Sequence, residues 1–214
     1  MSIRLLLVDD HQILREGLRS ILSSATGVEV VGEAGDGRSA VELARELAPD
    51  VVVMDIGMPE LNGIEATRHI RAENPQVKVI VLSTYMDKRY VLSALEAGAS
   101  GYVLKISAFD ELLRAVRAVT AGKSFLSPDV TDVVVEQRLR SPALPPSGRG
   151  ILGLREREVL QLLAEGRTSI EIGRRLHLSS RTVETHRRNI MRKLGLHSVA
   201  ELTKYAVREG LTPL

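Results

Sequence analysis

Five positions could carry chemistry together, because each closes a short apolar run. Asp9 and Asp10 follow Ile3–Val8, Asp55 follows Val51–Met54, Ser83 follows Val77–Leu82, and Lys105 follows Gly101–Leu104. Runs of that length read as buried parallel strands, and the strands of one open sheet bring their carboxyl ends to a single edge. Three carboxylates meeting there would repel one another unless a cation sat among them. Hard oxygen donors with room for water suit Mg2+. Such an ion would neutralise an incoming phosphoryl group and leave one carboxylate free to act as nucleophile. Lys105 would add positive charge for the phosphate oxygens, and Ser83 a hydroxyl for the same group.

Those residues need a frame, and the intervening segments supply one. Ile13, Leu14, Leu18, Ile21 and Leu22 recur at helical spacing after the first run. Strand Val28–Gly32 and a helix from Ser39 to Leu47 follow, then a helix from Ile64 to Ala72 after the Asp55 strand. Helices from about Arg89 to Ala97 and Phe109 to Ala121 complete five βα units. The pattern predicts a doubly wound, five-stranded parallel sheet covered on both faces, of flavodoxin-like class.

With the motifs in place, residues 1–121 resemble the receiver domain of two-component response regulators. The resemblance rests on Val8-Asp9-Asp10-His11, Met54-Asp55-Ile56-Gly57-Met58-Pro59, Asn62-Gly63, Leu82-Ser83 and Ala97-Gly98-Ala99-Ser100-Gly101-Tyr102-Val103-Leu104-Lys105. It implies that Asp55 accepts phosphate from a sensor histidine kinase. It further implies a Mg2+ site of Asp9, Asp10, Asp55 and the Gly57 carbonyl, in which Asp10 ligates the ion directly and Asp9 acts largely through water. Ser83 and Tyr102 match the family's switch pair, in which the hydroxyl moves to the phosphate and the ring turns inward. Ile106 departs from the Pro or acid that many receivers carry after the lysine.

The remainder of the chain differs in charge. Of 29 Lys+Arg and 27 Asp+Glu in 214 residues, residues 1–121 hold 13 and 17, net −4. Residues 122–150 hold 4 and 3, net +1, and residues 151–214 hold 12 and 7, net +5. An acidic first domain and a basic tail imply a division of labour, with the tail as the polyanion binder. Ser141-Pro142-Ala143-Leu144-Pro145-Pro146-Ser147-Gly148-Arg149-Gly150 reads as linker, so 122–150 is assigned to a connection, part helical over Val130–Arg140.

The tail reads as a small all-α domain of four short helices. One spans Arg155–Ala164, a second is capped by Thr168, and a third, capped by Ser179, runs to about Leu194. A fourth covers Val199–Val207. The second and third form a helix-turn-helix signature. On the third helix Val183, Ile190 and Leu194 share the core stripe. Glu184, Thr185 and Arg188 lie opposite and are spaced to reach base edges, while Arg181, Arg187, Arg192 and Lys193 flank them and suit phosphates.

Residues 152–211 resemble LuxR-type output domains through Leu-x-x-Arg-Glu-Arg-Glu-Val-Leu from 152, Leu162-Leu163-Ala164-Glu165-Gly166, Glu171-Ile172, Leu178-Ser179, Thr182-Val183-x-x-His186 and Lys193-Leu194-Gly195. The likeness brings Thr182 and His186 into the DNA-facing set. Gly153-Leu154 stands where Thr-Pro is usual, which removes a good cap. Gly173 stands where Ala is usual, at about 1 kcal/mol of helix propensity. Together the resemblances imply a response regulator of the NarL/FixJ type, a phosphorylation-controlled transcription factor rather than an enzyme. Its implied partners are a sensor histidine kinase, double-stranded promoter DNA, a second copy of the chain on that DNA, and RNA polymerase as a further candidate.

Other classes fit less well. With no Cys there is no disulfide scaffold, thiol nucleophile or zinc–thiolate site, and no Trp with 3% aromatics argues against a stacking platform. A haloacid-dehalogenase phosphatase needs an acid two residues after its nucleophile, and position 57 is Gly. A quorum-sensing LuxR regulator would share the tail but needs an acyl-ligand pocket, which the acidic first part does not offer. The N-terminal apolar stretch is too short for a signal peptide and no apolar run approaches 18 residues, so a bacterial cytoplasmic protein with no membrane partner is expected. A regulator that works without phosphorylation would carry the same motifs, and phosphotransfer from a small-molecule donor separates the two.

Overall fold

A computed structural model describes Ser2–Arg140 and Ile151–Thr212. The chain divides into two compact units, Met1–Arg140 and the part after it. In the first, strands β1 (Ile3–Val8), β2 (Val28–Ala34), β3 (Val51–Asp55), β4 (Lys78–Ser83), β5 (Gly101–Leu104) and β6 (Phe125–Leu126) form one sheet in the order β2-β1-β3-β4-β5-β6. All five pairings are parallel. Helices α1 (Gln12–Ser24), α2 (Gly37–Leu47), α3 (Gly63–Glu73), α4 (Lys88–Glu96) and α5 (Ala108–Thr120) connect the strands, and α6 (Pro128–Arg140) follows β6.

The strands are apolar throughout because both faces are covered. Leu5, Leu7, Val51, Val53, Ile80, Leu82 and Val103 point to one side, against Leu18 and Leu22 of α1 and Leu112, Ala115, Val116 and Val119 of α5. Their neighbours in sequence point the other way: Leu6, Val8, Val52, Met54 and Val79 meet Ala40 and Ala44 of α2 and Ala66 and Ile70 of α3. Val81, Tyr102 and Leu104 meet Val91 and Ala94 of α4 and Val130 of α6. This is the two-residue period of a doubly covered sheet.

The sequence predicts five strands; the sheet has six. β6 holds only two residues, too few to show a period, yet it extends the β5 edge through Gly101↔Phe125 and Tyr102↔Leu126. Behind it α6 packs on α4, with Val130 fully buried. Residues 125–126 and 128–140 therefore lie in the first unit, within the span that the sequence assigns to a connection. The Pro-rich stretch 141–150 lies outside the described residues.

The second unit holds α7 (Leu154–Ala164), α8 (Ser169–Leu176), α9 (Ser180–Leu194) and α10 (Val199–Arg208). Its core gathers Val159, Leu160, Leu162 and Leu163 of α7, Ile172 and Leu176 of α8, Val183 and Ile190 of α9, and Leu202 and Ala206 of α10. Thr168, Ser179 and Ser198 cap their helices through side-chain oxygens. Gly153 contributes no side chain to cap α7, but the Glu156 carboxylate accepts its backbone N–H at 2.9 Å. Gly173 has a steric reason that helix propensity does not show. A Cβ there would lie 2.7 Å from the Leu178 carbonyl oxygen, so the turn into α9 can approach α8 only over a glycine.

Candidate functional site

The carboxyl ends of β1, β3, β4 and β5 meet at one edge of the sheet. Asp9 directly follows β1 and is fully buried, and Asp55 closes β3 at 4% exposure. Close approach of α3 helps set that position, since a Cβ on Gly63 would fall 1.7 Å from the Asp55 carbonyl oxygen. Asp9, Asp10, His11 and Asp55 each offer a ligand atom, all within 4.8 Å of one another. Asp10 is exposed, and His11 Nδ1 stands 2.8 Å from its Oδ1 and 3.3 Å from Asp9 Oδ1.

Lys105 reaches into this group. Its Nζ lies 2.8 Å from Asp9 Oδ2 and 3.1 Å from Asp55 Oδ1, with the lysine side chain only 11% exposed. Burial pushes the Asp55 carboxyl above its ordinary value, Lys105 pulls it down, and Asp9 and Asp10 add to the rise. Burial acts to depress Lys105, but the Asp55 and Asp9 carboxylates outweigh it and hold the ammonium above its ordinary value. One ammonium against three carboxylates leaves excess negative charge at a point open to solvent on the Asp10 side. A hard divalent cation fits that donor set, whose protein atoms are all oxygen apart from His11.

Ser83 and Tyr102 lie beside the acids and are linked through a residue the sequence reading did not single out. The Ser83 hydroxyl accepts the Tyr85 N–H at 3.0 Å, and the Tyr102 hydroxyl donates to the Tyr85 carbonyl at 2.6 Å. Tyr102 is fully buried with its ring inward, and burial pushes its phenol far above the ordinary range. Tyr85 stacks on Tyr90 with ring centroids 4.4 Å apart. A Cβ on Gly57 would lie 3.8 Å from the Tyr85 hydroxyl and 4.0 Å from Asp55 Oδ2, so that tyrosine borders the Gly57 turn beside Asp55. Only its position two residues after Ser83 could have marked it. Ile106 sits almost wholly exposed just past Lys105.

In the second unit the residues that the sequence assigns to DNA contacts lie along α9. Val183 and Ile190 are buried and Leu194 packs partly against the same core. Arg181, Thr185, Arg188 and Arg192 are exposed, and Thr182, Glu184, His186 and Arg187 are half-buried. Arg188 Nη2 lies 3.5 Å from the Thr185 hydroxyl, and Arg192 Nη2 donates to Asn189 at 3.1 Å. Glu184 is held from two sides, accepting from the Ser169 hydroxyl at the start of α8 and lying 3.8 Å from Arg187 Nη1. Lys193, which the sequence places among the phosphate contacts, has its Nζ 2.7 Å from Glu156 Oε2. That carboxylate therefore joins α9 to the start of α7, a pairing across 37 positions that no local pattern reveals.

Comparison with known proteins matches each unit separately and the chain as a whole. The family model described as "Response regulator receiver domain" matches residues 5–117, and that described as "Bacterial regulatory proteins, luxR family" matches residues 151–206. Transcriptional regulatory protein LiaR of Bacillus subtilis is 42% identical over 209 residues, covering 98% of this chain and 99% of that protein. The structure of a two-component response regulator RcsB–DNA complex is similar with a TM-score of 0.62 at 28% identity, covering 98% of this chain and 99% of that one. A LuxR-family two-component response regulator from Aurantimonas sp. SI85-9A1 gives a TM-score of 0.62 at 43% identity, over 65% of this chain and 99% of that one.

Proposed function

Because the chain belongs to the two-component response regulators that join a receiver domain to a LuxR-type DNA-binding domain, we propose that Asp55 is its phosphoacceptor and that phosphorylation there controls promoter binding through α9. The observation that carries this reading is Lys105 Nζ, held within 3.1 Å of both Asp9 and Asp55 at the edge where four strands end.

In the transfer, an Asp55 carboxylate oxygen forms a bond to phosphorus while the P–N bond to a sensor kinase's phosphohistidine breaks. The kinase imidazole leaves with the electron pair and takes up a proton. Asp10, Asp55 and the Gly57 carbonyl would hold Mg2+, with Asp9 acting largely through water. The ion, when bound, supplies positive charge that offsets the carboxylates and the transferred group. Lys105 binds a phosphoryl oxygen while keeping its hold on Asp9. Ser83 releases the Tyr85 N–H to bond to the phosphoryl group, and the Tyr102 hydroxyl, already inward on the Tyr85 carbonyl, follows that loop. The acceptor itself is altered, with no turnover of a free substrate, so the role is a regulator's and not an enzyme's.

On the DNA side, Arg188 with Glu184 and Thr185 reads base edges. Arg181, Arg187 and Arg192 contact phosphates, with Thr182 and His186 beside them. Glu184, held by Ser169 and Arg187, is oriented rather than free to repel the duplex. Lys193 acts first as the internal partner of Glu156. A homodimer reading paired half-sites fits the helix-turn-helix, as two dimers of the similar regulator RcsB bind two parallel DNAs. RNA polymerase at the promoter is the further candidate partner. Among the described residues no helix is long and apolar enough to cross a membrane, in keeping with action in the bacterial cytoplasm. Wild type and Asp55→Asn incubated with acetyl phosphate and Mg2+, then weighed intact, test the acceptor. Wild type is expected to gain one phosphoryl group and the variant none, and equal uptake would overturn the assignment.

A further inference from the structure

β6 is too short to complete the ladder along β5, and a side chain completes it instead. The Ser127 N–H donates to the Tyr102 carbonyl at 2.9 Å. One step further along β5, the Leu104 N–H donates to the Ser127 hydroxyl at 3.2 Å. That hydroxyl spends its single proton on the Glu111 carboxylate of α5. Ser127 is fully buried, Leu104 is 2% exposed and Glu111 7% exposed. The next residue after Leu104 is Lys105, whose ammonium bridges Asp9 and Asp55.

We propose that Ser127, oriented by Glu111, is a positioning residue for phosphoryl transfer at Asp55, fixing the end of β5 and through it the reach of Lys105. Neither residue touches the acceptor oxygens, so the effect passes through the lysine. Removing the Ser127 hydroxyl takes the partner of the buried Leu104 N–H and one hydrogen bond from the nearly buried Glu111 carboxylate, whose other oxygen lies 3.9 Å from Arg114 Nη2. The strand end then relaxes to recover those bonds, and Lys105 moves with it. Charge stabilisation depends on donors held about 2.7–3.1 Å from the developing charge, and a misplacement of about 1 Å can cost on the order of 100-fold in rate. A smaller shift at a strand end is expected to cost about tenfold.

The inference rests on Asp55 as acceptor, and the test separates the two. Rates of phosphate uptake from acetyl phosphate at saturating Mg2+ are measured on the full chain for wild type, Ser127→Ala, Lys105→Ala and the double variant, with donor raised until the Lys105→Ala rate is measurable. Ser127→Ala is expected to slow wild type about tenfold and to slow Lys105→Ala less than twofold, the non-additivity of residues acting through one another. Ser127→Thr, which keeps the hydroxyl, is expected to recover the rate. Equal slowing in both backgrounds would assign Ser127 to the fold alone and overturn the proposal, as would an unchanged rate in wild type. Should Ser127→Ala fail to fold, Glu111→Gln runs through the same cycle with a few-fold effect expected and the same criteria. Failure of wild type itself to take phosphate would instead remove Asp55 as acceptor.

Discussion

Replacing Lys105 by Met keeps the aliphatic stem and removes the ammonium from between two buried carboxylates. Asp9 and Asp55 lie 2.8 and 3.1 Å from Nζ, with side chains 0% and 6% exposed. At about 3 Å and an effective dielectric of about 20, each contact supplies roughly 5 kcal/mol of attraction, and desolvating the ammonium takes back several kcal/mol. Loss of one partner from such a group is therefore expected to cost about 3–5 kcal/mol. At about 3 °C per kcal/mol for a unit of this size, the melting transition of the first unit falls by about 10–15 °C at pH 7. The pH dependence has a definite sign. The Asp55 carboxyl is raised in the folded protein, chiefly by burial, and a raised carboxyl gives stability at low pH that is lost as pH rises through its folded value. Without Lys105 the rise is larger, so the deficit is widest at neutral pH and narrows as pH is lowered and Asp55 takes up a proton. Mg2+ should restore more stability to the variant than to wild type. Thermal unfolding of both proteins at pH 7 and pH 5, with and without Mg2+, measures all of this. A variant as stable as wild type at pH 7, or a deficit equal at both pH values, would refute the reasoning.

Four further substitutions concern the second unit. Gly173→Ala should gain about 1 kcal/mol from helix propensity alone, yet the Cβ would press within 2.7 Å of a backbone oxygen; a net loss of about 1–2 kcal/mol in urea unfolding is expected, and a stabilised variant would contradict the close approach. Arg188→Ala should relax base preference at one position of each half-site at a cost of about 1–3 kcal/mol, while Arg187→Ala weakens all sequences alike, as site selection from random DNA would report. Lys193→Ala should instead lower the unit's stability, by about 0.5–1 kcal/mol because the lysine is 38% exposed. Burial acts to raise Glu156, but its bonds to Lys193 and Gly153 hold it below the ordinary value. Its contribution is thus present above the unfolded value and lost as pH falls through the folded one, so the Lys193→Ala deficit should vanish in acid.

Residues at strand ends were legible in the sequence because an apolar run that stops on Asp, Ser or Lys marks both the strand and the edge it feeds. Asp9, Asp10, Asp55, Ser83 and Lys105 all announce themselves this way, and capping oxygens at Thr168 and Ser179 likewise mark helix starts. What stayed hidden depends on pairing across distance. β6 has two residues and no period, so the sixth strand emerges only from its fit against β5. Ser127 resembles any polar residue before a Pro until Leu104 and Glu111 close around it. Tyr85 carries no motif of its own, and its place between Ser83 and Tyr102 comes from hydrogen bonds of its main chain. Gly173 reads as a poor helix residue until the Leu178 carbonyl above it is seen. Lys193 and Glu156, each plausible as a surface charge, are joined only by the packing of α9 on α7.

Linkage between Asp55 and DNA is the central claim, and one titration tests it. Promoter DNA containing the selected site is titrated with the full chain, before and after treatment with acetyl phosphate and Mg2+, for wild type and Asp55→Asn. Phosphorylated wild type is expected to bind at least tenfold more tightly than untreated protein, through pairing of two copies on two half-sites, while Asp55→Asn stays at the untreated affinity under both conditions. Equal affinity of wild type before and after verified phosphorylation, or the same gain in Asp55→Asn, would contradict it.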